Sequence, residues 1–171
     1  DIRGGRQVRI LGIDSGLVNL GWCLAANAEY VCSGSWKTKS EKTAGPWDWD
    51  MARLQEIKTW AGRIEAKHDP DVVVLEFAQF ASFSRSPGAA MNAGKVHAAA
   101  GVLMGGFRAM VQPVTPSGWK HGLKDRELSL KVRSWIGHPI DNEHEIDACG
   151  ICLFEIDRNH GFKTTWMGAV V

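Results

Sequence analysis

The chain has 171 residues, 44% of them apolar and 23% charged, with a formal net charge of +1. That size fits one domain spanning 1–171, and the balance is that of an ordinary globular protein, with no apolar run near the roughly 20 residues of a membrane span. Four cysteines are too few for a disulfide scaffold, and the polar start, Asp1 to Arg6, has no signal-peptide core, so a cytoplasmic location is expected.

In chain order, Val8–Asp14 is a short apolar run that ends in Ser-Gly and reads as a buried strand with a turn. Leu20–Ala26 and Tyr30–Trp36 are two further strands, joined as a hairpin across Asn27–Glu29. Residues 37–47 are rich in Lys, Ser, Thr, Gly and Pro and are expected to form a loop. From Trp49 to Lys67, Met51, Leu54, Ile57, Trp60, Ala61 and Ile64 recur at three- and four-residue steps, which predicts an amphipathic helix. Asp69-Pro70 ends it, because a residue before proline is pushed out of helical dihedrals.

Val72–Phe77 is an unbroken apolar run apart from one glutamate, as in a buried strand parallel to the first. A loop over 78–87, a small-residue helix over Gly88–Met110 and a short strand at Val111–Val114 follow. Pro116–Trp135 reads as two short helices with Ser117 or Asp125 as caps, and Asn142–Asp157 as a last helix with Ile146, Cys149, Ile151 and Phe154 on its apolar stripe. The order implies an α/β fold: a mixed five-stranded sheet with helices on both faces.

Three acids stand where buried elements end: Asp14, Glu76 and, in the last helix, Asp147. A carboxylate in an apolar strand is costly without a partner or a cation. Neighbouring parallel strands bring their carboxyl ends together, so Asp14 and Glu76 are expected to converge if strands one and four pair, with Asp147 joining from the passing helix. Clustered carboxylates call for a hard divalent cation, Mg²⁺ or Mn²⁺, and two such ions suit phosphodiester hydrolysis. His144 and Glu143, three and four residues before Asp147, share its face, and spacing leaves open which is the further ligand. Glu76 could instead pair with Arg53 or Lys95, and Asp14 could cap its own turn.

Charge is unevenly spread. Residues 83–108 carry Arg85, Lys95 and Arg108 and no acid, and residues 117–135 carry five bases against two acids, which leaves room for a positive face toward nucleic acid. The four cysteines fall in apolar segments, where reduced cysteine behaves as a small hydrophobe. Cys149-Gly-Ile-Cys152 also has the spacing of redox and zinc sites, but that reading would need Cys23, Cys32 or nearby histidines to complete a metal tetrahedron.

These residues resemble the RuvC family of Holliday-junction resolvases, of ribonuclease H-like fold. The likeness lies in Leu11-Gly-Ile-Asp14-Ser-Gly16 with Gly21-Trp22, in Pro70-Asp71 leading to Glu76 and an aromatic loop, and in His144-Glu-Ile-Asp147-Ala148. Pro116-Ser-Gly-Trp-Lys120 resembles the family's segment with an active-site lysine, and Asn92–Gly101 the helix behind the aromatic loop. The resemblance implies a homodimer that nicks four-way DNA junctions symmetrically. Asp14, Glu76, His144 and Asp147 would bind two Mg²⁺ ions, with Lys120 on the scissile phosphate. One of Phe77, Phe80 and Phe83 would wedge against junction bases, and Lys131 would meet the DNA backbone. The positive segments add Arg85, Lys95, Lys124 and Arg133 as further candidates for backbone contact. Three features depart from the family: Ser15 stands where proline is usual, Trp119 beside Lys120 is unusual, and Trp47 and Trp49 have no counterpart. Rival readings are a related nuclease for other branched DNA or RNA–DNA hybrids, an actin-like ATPase fragment suggested by Gly12–Gly16, and a non-catalytic nucleic-acid-binding module.

Overall fold

A computed structural model describes residues 7–39, 46–77 and 87–160. The elements are β1 (Arg9–Asp14), β2 (Asn19–Ala26), β3 (Glu29–Lys37), α1 (Pro46–His68), β4 (Val72–Glu76), α2 (Pro87–Gly106), β5 (Met110–Val114), α3 (Pro116–Lys120), α4 (Asp125–Ile136) and α5 (Glu143–His160). They form one five-stranded sheet in the order β3-β2-β1-β4-β5. The first three strands run antiparallel, whereas β4 pairs parallel with both β1 and β5, so the sheet is mixed as expected.

Alternation along the strands divides the molecule into two cores. Leu11 and Ile13 of β1 and Val73 and Leu75 of β4 face α1 and α2, where they join Ile57, Trp60, Ile64 and Leu103. Ile10 and Val74 face the other way and pack with Trp119, Leu128, Val132, Ile151 and Ile156 of α3, α4 and α5. By the same period of two, Asp14 and Glu76 belong to the α5 face.

That face is built from small residues: Gly12 on β1, and Gly21, Cys23 and Ala25 on β2. A Cβ on Gly21 would stand 1.8 Å from the carbonyl oxygen of His144, and one on Gly12 would stand 2.6 Å from that of Ala148. The missing side chains let α5 lie directly on the sheet, which sets how near its polar residues come to the strand ends.

Several local expectations need correction. Helix α1 starts at Pro46, three residues early, since proline's fixed φ suits a first turn; Trp47 and Trp49 lie in that turn. Met51 is 65% exposed, so the buried stripe begins later, with Leu54 and Ile57. Helix α2 stops at Gly106, and Met110 opens β5 instead. Pro113 sits in β5 opposite Leu75, tolerated because β5 is an edge strand.

The caps of α3 and α4 also fall one or two residues earlier than predicted. Thr115 accepts from Gly118 N–H, and Glu127 accepts from the N–H of Lys124, which leaves Ser117 and Asp125 inside the first turns. The cysteines pack as small apolar groups, as their segments predict, and join no candidate metal group among the described residues. Cys149 and Cys152 are fully buried with Cys23 in the second core, all four cysteines are free, and Cys152 Sγ accepts from Gly12 N–H at 3.2 Å. No described helix is long and apolar enough to cross a membrane.

Candidate active site

The ends of the neighbouring strands β1 and β4 lie together, with Ile13 paired to Leu75, so Asp14 and Glu76 emerge side by side. Helix α5 crosses this edge and adds Asp147. Ligand oxygens of Asp14, Glu76 and Asp147 all lie within 4.8 Å of one another; among the described residues no other group of acids, histidines and cysteines meets this geometry. Two full charges at that separation repel by about 3.5 kcal/mol at an effective dielectric of about 20. Such a cluster needs positive charge or protons to persist.

Among the described residues, the basic side chains of His144 and Lys120 face it. His144 Nδ1 is 2.7 Å from Asp14 Oδ2, and that hydrogen bond holds the imidazole above its ordinary pKa despite some burial. Lys120 Nζ is 3.0 Å from Asp147 Oδ2 and 3.9 Å from Asp125 Oδ1. Burial opposes the charge on Lys120, but Asp147 and Glu76 outweigh it and hold the ammonium above its usual value. Asp147 itself is raised, mainly by burial, against the pull of Lys120.

Glu76 is the most perturbed of the acids. Burial, and then the charge of Asp14, raise its carboxyl to about 7, against the lowering effect of a hydrogen bond from Trp119. Its Oε2 accepts from Trp119 Nε1–H at 2.6 Å, and its main-chain carbonyl accepts from Ser15 Oγ at 2.7 Å. The suggested pairing of Glu76 with Lys95 is not formed; Lys95 lies 2.9 Å from Asp50 on α1.

A shallow cleft runs from the cluster, lined by Asp14, Lys120, Asp125, Glu143, His144 and Asp147. His144 is therefore in contact with the acids through Asp14, while Glu143 lines the mouth. The donor set of hard carboxylate oxygens suits Mg²⁺ or Mn²⁺.

The remaining predicted residues are spread more widely. Phe77 packs edge-on against His97 of α2, ring centroids 4.7 Å apart, beside the first core. Lys124 and Arg133 are exposed at the two ends of α4, and Lys131 is half-buried on the same helix. Phe80, Phe83 and Arg85 lie outside the described residues.

Trp119 and Ser15 are contacts that sequence reasoning did not assign. The signal was present for Trp119, because a tryptophan in an apolar pocket still needs an acceptor for its N–H and the adjacent lysine was already placed at the site.

Comparison with solved structures settles the architecture. The chain superposes on Thermus thermophilus RuvC in complex with a Holliday junction substrate, with a TM-score of 0.69 and 23% identity over 90% of this chain and 96% of that one. The fold is that of RuvC. A second Thermus thermophilus RuvC structure gives a TM-score of 0.67 at 22% identity, again over 90% of this chain and 97% of that chain. The yeast mitochondrial Holliday junction resolvase Ydc2 gives 0.54 at 12% identity, over 90% of this chain and 82% of that chain. No family model and no curated protein matches the chain.

Proposed function

We propose that this chain is a structure-specific endonuclease that resolves four-way DNA junctions by divalent-cation-dependent phosphodiester hydrolysis, acting as a homodimer of one nuclease domain per chain. One observation carries the reading: three carboxylates within 4.8 Å at the rim of a RuvC-type sheet. The Thermus thermophilus protein of that fold is seen bound to a Holliday junction substrate, which supports a branched-DNA substrate here.

Asp14, Glu76 and Asp147, with His144 as the fourth ligand, would hold two Mg²⁺ or Mn²⁺ ions. Bound cations supply Lewis-acid stabilisation of the charge on a phosphate in hydrolysis. Lys120 is placed to add a further positive charge where a phosphate oxygen would approach Asp147, a contact that needs no reading of bases. His144, hydrogen-bonded to Asp14, fixes that carboxylate's orientation. Lys124, Lys131 and Arg133 on α4, with Lys95 and Arg85, would hold the DNA backbone, and the segment with Phe77, Phe80 and Phe83 would supply the wedge that replaces lost base stacking.

The homodimer is supported by α2. Its exposed residues, among them Met91, Asn92, Gly94, Ala98, Gly101 and Met104, carry no charge and are mostly small, which suits close helix-to-helix contact. Two-fold symmetry matches the symmetry of a four-way junction.

Labelled four-way junctions, Y-forks and RNA–DNA hybrids, each incubated with Mg²⁺, Mn²⁺ or EDTA, test the proposal. Paired nicks at the junction with either cation and none in EDTA are expected. Cleavage confined to hybrids or forks would reassign the substrate while leaving the chemistry, and cleavage in EDTA would remove the cation site.

A further inference from the structure

The indole of Trp119 is fully buried, and yet its N–H is given to a cluster carboxylate rather than to a main-chain carbonyl. The ring reaches Glu76 because of a notch in α5. At Gly150, one turn beyond Asp147, a Cβ would stand 2.7 Å from the ring's Cζ3 and 2.7 Å from Leu128 Cδ1. The helix that carries Asp147 is thus cut away where the ring passes. From the other side, Ser15 Oγ holds the Glu76 carbonyl. The main chain of Glu76 is tied from β1 and its carboxylate from α3.

We propose that Trp119 is a positioning residue for the cation site: its indole N–H fixes the Glu76 carboxylate in the orientation that faces Asp14 and Asp147. An indole suits this task better than a basic side chain would. It donates one hydrogen bond along a fixed direction and carries no formal charge, so it orients a ligand without competing with the cation. Lys120, on the next residue, supplies charge but points to Asp147. The neighbouring side chains of α3 thereby divide the work, one orienting and one neutralising. The inference rests on the cation reading proposed above. Partners of this kind typically change metal affinity or activity 10- to 100-fold when removed.

The test is Mn²⁺ binding to the full chain, followed by the electron paramagnetic resonance signal of free Mn²⁺, with activity left aside. Trp119→Phe removes the donor, and 3-benzothienylalanine at position 119 replaces only the N–H by sulfur and keeps the ring's shape. Binding weaker by about 10- to 100-fold in the analogue, with the chain still folding cooperatively, is the expected result. In wild-type protein the Trp119 indole ¹⁵N–¹H resonance should also shift on adding Mg²⁺, and should fail to shift in Glu76→Gln. Should Trp119→Phe fail to fold, the analogue decides. Equal Mn²⁺ affinity in wild type and analogue overturns the positioning role alone, whereas no Mn²⁺ binding by the wild type overturns the cation site and this role with it.

Discussion

Ser15 Oγ donates a 2.7 Å hydrogen bond to the main-chain carbonyl of Glu76, joining the two strand ends that carry the paired acids. The bond spans 61 positions in sequence and closes the gap between β1 and β4 beyond their last paired residues. Its loss in Ser15→Ala leaves a part-buried carbonyl without its partner, at a cost of about 1 kcal/mol. A drop of a few degrees in melting temperature is expected, together with a several-fold loss of junction cleavage at limiting Mg²⁺ that saturating Mg²⁺ relieves. Full activity at limiting Mg²⁺ would show that the strand ends hold their spacing without it.

Glu76→Gln keeps the size of the side chain and still offers an oxygen to Trp119, but gives up the charge. Cleavage of a four-way junction should fall by a factor on the order of 10³, the scale set by losing a charged group at a phosphate-transfer site. Junction affinity, measured by gel shift in Ca²⁺ or EDTA, should stay equal or rise, because one negative charge fewer faces the DNA. A variant that still cuts at the normal rate would mean that the active site lies elsewhere.

The perturbed carboxyl also predicts a stability profile in EDTA. With its folded value raised from 4.5 to about 7, Glu76 binds more proton in the folded chain than in the unfolded one between those limits. Stability from this group is therefore present at low pH and lost as pH rises across the window, by at most about 3 kcal/mol. His144, raised by Asp14, has the same sign: its contribution is full below 6.5 and is lost as pH rises through its folded value. His68, lowered mainly by burial, works in the opposite direction. Both histidines are common to wild type and Glu76→Gln, so the difference between the two melting curves isolates the glutamate. From pH 5.5 to 8 the wild type should lose stability relative to the variant, and Mg²⁺ should restore more at pH 8. Parallel curves would contradict the assignment.

How far the site could be read in the sequence depended on whether its residues were held by periodic structure. Asp14 and Glu76 were legible because a single acid in an apolar strand is costly and strand alternation fixes its face. Asp147 was legible as an acid on a last helix expected to pass that rim, and its spacing to His144 and Glu143 left the further ligand open. The partners of Glu76 were not legible: Trp119 and Ser15 reach it across 43 and 61 positions, and Lys95 was drawn to Asp50 instead. The packing of the cysteines was legible as well, since Cys149 and Cys152 fall in an apolar helical stripe and sit on the buried side of α5 as small apolar groups. Helix ends moved by a few residues because Pro46 and Thr115 were better starts than the residues chosen by periodicity.

The uncharged face of α2 makes a prediction about assembly. If it is the contact between two copies, light scattering after size exclusion should give twice the chain mass. Gly101→Glu, on an exposed position where an added Cβ meets nothing within 4 Å, should leave the folded chain intact and yield a monomer. Such a monomer should nick junctions singly and lose the coupled second cut. A dimer that survives this charge would place the two-fold contact on another surface.

The close seat of α5 on the sheet offers the most severe test of how the acids are brought together. Gly21 pairs with Asp14 across β1 and β2, and a Cβ on it would stand 1.8 Å from the His144 carbonyl oxygen and 2.8 Å from Glu145 N. Both are backbone atoms, which no rotamer change can move aside. Gly21→Ala must therefore lift the first turn of α5 by roughly 1.5 Å to regain ordinary contact, carrying His144 away from Asp14 and Asp147 from the cluster. A destabilisation of about 1–3 kcal/mol, of the size seen on overpacking a core, is expected. Mn²⁺ affinity should fall with it, and the His144–Asp14 hydrogen bond, followed through the imidazole ¹⁵N shifts, should weaken. Gly62→Ala, on α1, where an added Cβ meets nothing within 4 Å, serves as the control: it should leave Mn²⁺ affinity and the hydrogen bond unchanged and raise stability by up to about 1 kcal/mol, alanine's helix preference over glycine. Retention of Mn²⁺ affinity in Gly21→Ala would mean that the acids assemble without the tight contact between α5 and β2.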